Sequence, residues 1–61
     1  MSKIEVYEGE PSPDGAWRWR LIARNGKIVA SGEGYKRRAG AVAGAKAMQR
    51  AAALARWVYG D

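Results

Sequence analysis

The sequence contains no cysteine and no histidine among its 61 residues. Without cysteine there is no disulfide bond and no thiolate ligand for zinc. Without histidine the chain also lacks the commonest metal-ligating side chain and general base. The serine hydroxyls stand in no recognisable catalytic motif, and the familiar nucleophile–base pairs of enzymes cannot be formed. We therefore expect a protein that is not an enzyme and that binds no cofactor or metal.

Long apolar segments are absent as well. The longest apolar run covers residues 39–45, whereas a helix needs about 20 apolar residues to cross a bilayer. Residues 1–5 lack the apolar region of a secretory signal. We therefore expect no membrane partner and a cytoplasmic location.

Acidic side chains are in the minority. Eleven lysines and arginines face six aspartates and glutamates, which gives a formal net charge of +5. An excess of this sign favours acidic partners, and DNA or RNA phosphates first among them. A net charge of this size also aids solubility without any partner. Charge alone therefore leaves both interpretations open.

The first half of the sequence alternates apolar and polar residues, which is typical of strands. Residues 3–8, 16–24 and 27–32 are predicted as three strands. The loop at residues 9–15 holds both prolines, and Pro13-Asp14-Gly15 is typical of a turn. Asn25-Gly26 predicts a two-residue type I′ hairpin turn. These signals indicate an antiparallel sheet.

That turn sets a register for the second and third strands. It predicts the pairs Arg24–Lys27, Ala23–Ile28, Ile22–Val29, Leu21–Ala30, Arg20–Ser31, Trp19–Gly32 and Arg18–Glu33. Because paired residues share a face, one face is predicted to carry Trp17, Trp19, Leu21, Ala23, Ile28, Ala30 and Gly32. The other face carries Arg18, Arg20, Ile22, Arg24, Lys27, Val29 and Ser31. The "WRWR" stretch at residues 17–20 therefore presents tryptophans to the core and arginines outward.

Residues 36–59 are rich in alanine and predict one long helix that stops at Gly60. The residues predicted to face the sheet are mostly small: Ala41, Gly44, Ala45, Met48, Ala51, Ala52, Ala55 and Val58. Val42 and Trp57 fall on the polar side. Gly40 and Gly44 predict close packing, either on the sheet or on another helix. The predicted fold class is α+β, a single domain over residues 1–61 with a three-stranded antiparallel sheet and one C-terminal helix on one face.

The stretch "WRWRLIARNGKIVASGEGYKRRAGAVAG", residues 17–44, resembles the YegP-like family of small domains of unknown function. The matching positions are Trp17 to Leu21, Asn25, Gly26, Ile28, Ala30, Ser31, Glu33, Gly34, Tyr35 and Gly44. "IEVYEG" at residues 4–9 also resembles the first strand of that family. The resemblance extends from residue 4 to about residue 50, with its motifs in order at fixed spacing.

The resemblance implies a β-β-β-α unit that occurs as a homodimer or as a tandem repeat, and it implies no activity. The chain departs from the family pattern at the helix start. Arg37 stands where the family usually has serine, and Ala41 and Ala43 stand where it often has cysteine and asparagine. A site built on those polar groups is not expected here.

Two functional hypotheses follow, both for a small homodimer. In the first, basic side chains bind nucleic-acid phosphates, and the candidate residues are Lys36, Arg37, Arg38, Lys46 and Arg50. In the second, the chain is a protein–protein interaction module, or a regulatory or inhibitor module, with no nucleic-acid role. A 61-residue chain without a disulfide has a marginal core, so self-association is expected in either case. Candidate interface residues, on the outer sheet face or off the packed helix face, are Tyr7, Arg20, Ile22, Val29, Val42 and Trp57.

Overall fold

Three antiparallel strands and one helix follow each other along the chain in a computed structural model that describes residues 1–60. Strand β1 spans Lys3–Glu8, β2 spans Trp17–Ile22, β3 spans Ile28–Tyr35, and helix α1 spans Arg38–Leu54. The sheet order is β1-β2-β3, so β2 is central and the other two strands are edges. The predicted fold class is confirmed. Within residues 1–60, no helix is both long and apolar enough to cross a membrane.

The register places the two tryptophans and the two arginines of β2 as predicted. Trp19 pairs with Gly32, Arg20 with Ser31 and Leu21 with Ala30. Across the other side of β2, Val6 pairs with Trp19 and Glu5 with Arg20. Trp19 is 5% exposed, whereas Arg20 bonds a carboxylate on the opposite face. Alternation along the strand therefore separates the two residue types.

The β2–β3 turn differs from the predicted type I′ turn. The Gly26 N–H donates to the Ala23 carbonyl at 2.9 Å, and the Ala23 N–H donates to the Lys27 carbonyl at 2.8 Å. Gly26 has a φ of 85°, while no non-glycine residue among 1–60 has a positive φ. Type I′ would require a positive φ at Asn25 as well, and the observed pattern is that of a three-residue loop ending in a left-handed glycine.

The three-residue loop shifts the pairing next to it. Ile22 pairs with Ile28, and the register shifts between Leu21 and Ile22. The predicted pairs Ile22–Val29, Ala23–Ile28 and Arg24–Lys27 are therefore wrong. So is the predicted inner position of Ile28, which is 55% exposed.

A second irregularity lies at the end of β3, which runs three residues further than predicted. Trp17 pairs with Tyr35 while Trp19 pairs with Gly32, so two residues of β3 oppose one of β2, as in a β-bulge. Gly34, inside this bulge, has a φ of 85°. The bulge replaces the predicted Arg18–Glu33 pair. Because Tyr35 then shares a face with the tryptophans, its hydroxyl accepts a hydrogen bond from Trp19 Nε1 at 3.2 Å.

Helix α1 is shorter than predicted, and only its first half packs on the sheet. Ala41 and Ala45 are buried, whereas the predicted core residues Ala51, Ala52, Ala55 and Val58 are exposed. A 17-residue helix is about 26 Å long and a six-residue strand about 20 Å, so the last turns have no sheet beneath them. The helix ends before the bulky residues 57–59, which form helix less readily than alanine.

The glycine pair at 40 and 44 packs the helix against Tyr35. A Cβ on Gly44 would collide with the Tyr35 hydroxyl and come within 2.8 Å of its ring carbon Cε1. A Cβ on Gly40 would lie 3.7 Å from the same ring, which is ordinary contact. The close packing predicted for this pair is therefore packing on the sheet of the same chain.

Candidate functional site

The five candidate phosphate-binding residues are all exposed and form what we call the basic ridge: Lys36, Arg37, Arg38, Lys46 and Arg50. The first two precede the helix, and Arg38 is its first residue. The three helical residues lie on one i±4n row of the helix surface. From Arg38 to Arg50 this row rises about 18 Å. The structure therefore brings the predicted residues onto one side of the helix and its start.

No carboxylate among residues 1–60 forms an ion pair with a residue of the basic ridge. Arg37, at the N-cap position, has an extended backbone and forms no side-chain cap, and no acidic residue occupies the first turn. In the part of the chain that the structure describes, the ion pairs are Lys3–Glu5 at 3.4 Å and Arg20–Glu5 at 2.6 Å. Cations at a helix N-terminus are unfavourable to the helix dipole. This arrangement therefore costs stability and leaves the charges available to an anion.

The outer sheet face holds a satisfied polar cluster around Arg20. Its Nε donates to Glu5 Oε1, and its guanidinium lies 4.8 Å from the centre of the Tyr7 ring. The hydrogen bond from Arg20 lowers the pKa of Glu5, with Lys3 adding to it, and the same bond raises the pKa of Arg20. Arg20 and Tyr7 are thus engaged within the chain. Sequence reasoning missed Glu5 because the long β1–β2 loop left the register of β1 open.

The candidate interface residues do not form one surface. Tyr7, Arg20 and Ile22 are half-buried on the two neighbouring strands of the sheet. Val29, on the β3 edge strand, is 61% exposed, and Val42 is half-buried on the helix. Trp57 lies outside the helix and is 84% exposed, so the prediction that it sits on the polar side of the helix is wrong.

Residues 54–59, here called the apolar segment, form the largest exposed hydrophobic feature of the described chain. Leu54, Trp57, Val58 and Tyr59 are each at least 77% exposed. The Trp57 and Tyr59 rings stack with their centroids 6.1 Å apart. The helix has ended, and Ala55 is extended. Contiguous exposed apolar surface on a small protein usually marks an interaction site.

A shallow trough on the exposed side of α1 connects the apolar segment to the basic ridge. It is lined by Ala43, Ala47, Ala51 and Leu54, with Lys46 and Arg50 alongside. The two surfaces are therefore neighbours on the helix. A partner that covers one of them would also approach the other.

Comparison with known proteins shows the family. The family described as "Domain of unknown function (DUF1508)" matches residues 12–58. A UPF0339 protein of Methanosarcina acetivorans is 45% identical over 56 residues, which cover 92% of this chain and 91% of that protein. The chain belongs to the YegP-like family. No solved structure matches it.

In this YegP-like protein, the motif residues that carry the resemblance mainly build the fold. Trp19 and Tyr35 bond each other, Gly44 lets the helix approach the Tyr35 ring, and Gly34 shapes the bulge before Tyr35. Lys46 and Arg50 lie outside the matching positions. Membership of the YegP-like family therefore accounts for the core and leaves the function of the basic ridge to be proposed.

Proposed function

We propose that this YegP-like protein is a small cytoplasmic, non-enzymatic, dimeric module that binds nucleic acid through backbone phosphates. The observation that carries the proposal is the basic ridge: five exposed cations without a carboxylate partner among residues 1–60. Lysine and arginine that neutralise phosphates release condensed counterions, and this release drives association. A net charge of +5 per chain, doubled in a dimer, adds long-range attraction.

Binding through this surface should not depend on base sequence. Phosphate contacts position a protein but carry no sequence information. Stacking on bases needs exposed aromatic side chains beside the cations, but Trp19 is buried and Trp17 is half-buried. Trp57 and Tyr59 are exposed, but they stack on each other in the apolar segment, which a second copy of the chain is proposed to cover. The expected affinity is therefore in the non-specific range, with a Kd of roughly 10⁻⁴ to 10⁻⁶ M at physiological salt.

Reversal of Arg37 and Arg38 to glutamate should weaken binding to all sequences alike. Fluorescence anisotropy with mixed DNA and RNA oligonucleotides, between about 20 and 200 mM salt, measures both affinity and salt dependence. We expect about tenfold or greater weakening, and a log–log salt slope flatter by up to about 0.9 for each duplex-DNA phosphate that the variant no longer neutralises. Arg24→Glu with Lys27→Glu, at the exposed hairpin turn, makes the same change in charge and should weaken binding far less.

We propose that a second copy of the chain covers the apolar segment in a homodimer. The chain is short and has no cysteine, and small domains of this kind are often stabilised by association. The exposed apolar side chains at the end of α1 and after it supply the surface that association would bury. Burial of such surface stabilises by about 25 cal/mol per Å². Self-association through residues 54–59 would therefore bury the apolar surface that the sheet leaves exposed.

Leu54→Asp with Trp57→Ser should convert the protein to a monomer without unfolding it. Analytical ultracentrifugation at tens of micromolar gives the mass, and circular dichroism reports the fold. Val29→Asp is the matched control, because Val29 is exposed on the sheet edge, away from the apolar segment. If Val29→Asp dissociates the dimer instead, the interface lies on the sheet. A wild-type protein that sediments as a monomer would refute the dimer.

The apolar segment also favours a second candidate function, binding of another protein. The same experiments separate the two, because phosphate binding weakens steeply with salt and apolar association does not. Failure to bind any oligonucleotide at about 20 mM salt would remove the nucleic-acid function. A protein–protein module that uses residues 54–59 would then be the better account.

A further inference from the structure

Among residues 1–60, the guanidinium of Arg18 has no hydrogen-bond or ion-pair partner, in contrast to that of Arg20 two residues later. Its Nε is enclosed and has no hydrogen-bond acceptor in the described part of the chain. The other two guanidinium nitrogens are not enclosed and donate to no acceptor there either. No carboxylate of residues 1–60 lies within ion-pair distance. An enclosed charged donor without an acceptor is costly, and such groups commonly bind water or an ion.

Gly9 lies against one face of this guanidinium. A Cβ on Gly9 would lie 2.9 Å from Arg18 Nη1, 3.0 Å from Cζ and 3.1 Å from Nε, so the β1–β2 loop covers one face of the planar group. That loop begins with a hydrogen bond from the Gly9 N–H to the Ala16 carbonyl at 2.8 Å. Nη1 and Nη2 are not enclosed and are left for solvent or a ligand. Arginine offers five N–H donors in a rigid fork.

Arg18 and Lys36 both line an open depression of about 660 Å³, whose walls are the loop residues 12–14 and the bulge residues 33 and 34. The walls are fixed by local structure. Ser12 Oγ donates to the Gly15 carbonyl at 2.7 Å, and Gly15 has a φ of 128° with its backbone against that of Tyr35. Gly34 supplies the bend on the other side. The fold therefore sets the backbone on both sides of the depression.

We propose that this depression binds one phosphate group, held by Arg18 and Lys36. Two cationic side chains from separate elements suit a phosphate better than a carboxylate. A phosphate diester has one negative charge and two terminal oxygens, and a monoester has up to two charges and three terminal oxygens. Asp14 and Glu33 also line the depression and can accept hydrogen bonds from hydroxyl or amino groups next to the phosphate. The ligand class is thus a phosphate ester that carries such donors. It is either a small phosphorylated molecule or a nucleic-acid backbone, and of the basic ridge its binding requires Lys36 alone.

The Nε–H resonance of Arg18 provides the test. The Arg18 Nε–H signal in ¹H–¹⁵N spectra is assigned by its absence from the spectrum of Arg18→Lys. In the wild-type protein, we expect this signal to shift saturably as inorganic phosphate is added. The Arg20 signal should stay in place because Glu5 already accepts its bond. A chloride titration at matched ionic strength controls for screening. Arg18→Lys keeps the charge but loses the planar set of N–H donors, and should weaken phosphate binding about tenfold. Arg24→Lys, on the exposed turn, should leave it unchanged.

Three further measurements identify the ligand of the depression and separate its binding from that of the other four residues of the basic ridge. A ribonucleoside monophosphate that moves the Arg18 signal at lower concentration than phosphate indicates a small ester, and movement only with oligonucleotides indicates a backbone. Arg37→Glu with Arg38→Glu should leave the phosphate response intact even if it abolishes oligonucleotide binding. An Arg18 signal that moves with none of these ligands, or equally with chloride, overturns the proposal.

Discussion

Replacement of Trp19 by alanine is expected to unfold most of the protein. Trp19 is the one large side chain buried among residues 1–60, at 5% exposure, and the other buried apolar residues are Ala41 and Ala45. Truncation of a core tryptophan typically costs about 3–5 kcal/mol, while a domain of this size has a total stability of roughly 5 kcal/mol. The variant also loses the donor of the hydrogen bond to Tyr35. Far-UV circular dichroism and urea unfolding measure the effect.

Trp57→Ala is the matched control for this prediction. Trp57 is 84% exposed and lies outside the secondary structure, so its removal should leave the fold of the chain intact. Any decrease in stability that it causes through a weaker dimer should shrink as the protein is diluted. A folded Trp19→Ala variant with wild-type unfolding would show that the tryptophan-bearing face is not the core.

The alternation in "WRWR" was sufficient to assign the two faces of β2, because side chains alternate along any strand. The turn type was wrong, yet the central pairs Trp19–Gly32, Arg20–Ser31 and Leu21–Ala30 were right. The loop at Asn25 is one residue longer than predicted, which alone would shift every β2–β3 pair by one residue. The register shift between Leu21 and Ile22 compensates for it, so the pairs beyond that point are the predicted ones. Local turn chemistry did not reveal this register shift, since it arises from how the whole hairpin fits its neighbours.

The end of the helix could not be predicted from periodicity. The small residues Ala51, Ala52 and Ala55 continue the stripe of Ala41 and Ala45, but a stripe does not say how far the sheet beneath it extends. The candidate basic residues are all exposed, and their role in binding stays a prediction. The sequence alone did not predict that Arg20 is paired with a carboxylate and that Arg18 has no acceptor among residues 1–60. They depend on Glu5 and Gly9, whose positions beside β2 follow from pairing across a long loop.

Because helix α1 packs against Tyr35, replacement by alanine should have opposite effects on stability at Gly44 and at Gly40. Gly44→Ala should destabilise the protein, because the new Cβ would overlap the Tyr35 hydroxyl and ring. The ring cannot swing aside without breaking the hydrogen bond from Trp19. Overpacking of this kind costs about 1–3 kcal/mol. Gly40→Ala meets only ordinary contacts at 3.7 and 3.8 Å and should gain up to about 1 kcal/mol from helix propensity.

Urea unfolding followed by tryptophan fluorescence should therefore move the midpoint down for Gly44→Ala and up for Gly40→Ala. Equal midpoints for the two variants would mean that the helix does not rest on Tyr35. The Tyr35→Phe background sharpens the test, because it removes the atom closest to the added Cβ while the ring carbons Cζ, at 2.6 Å, and Cε1, at 2.8 Å, remain. Gly44→Ala should cost less in that background than in the wild type. The difference between the two costs is the coupling free energy of the added methyl group with the Tyr35 hydroxyl.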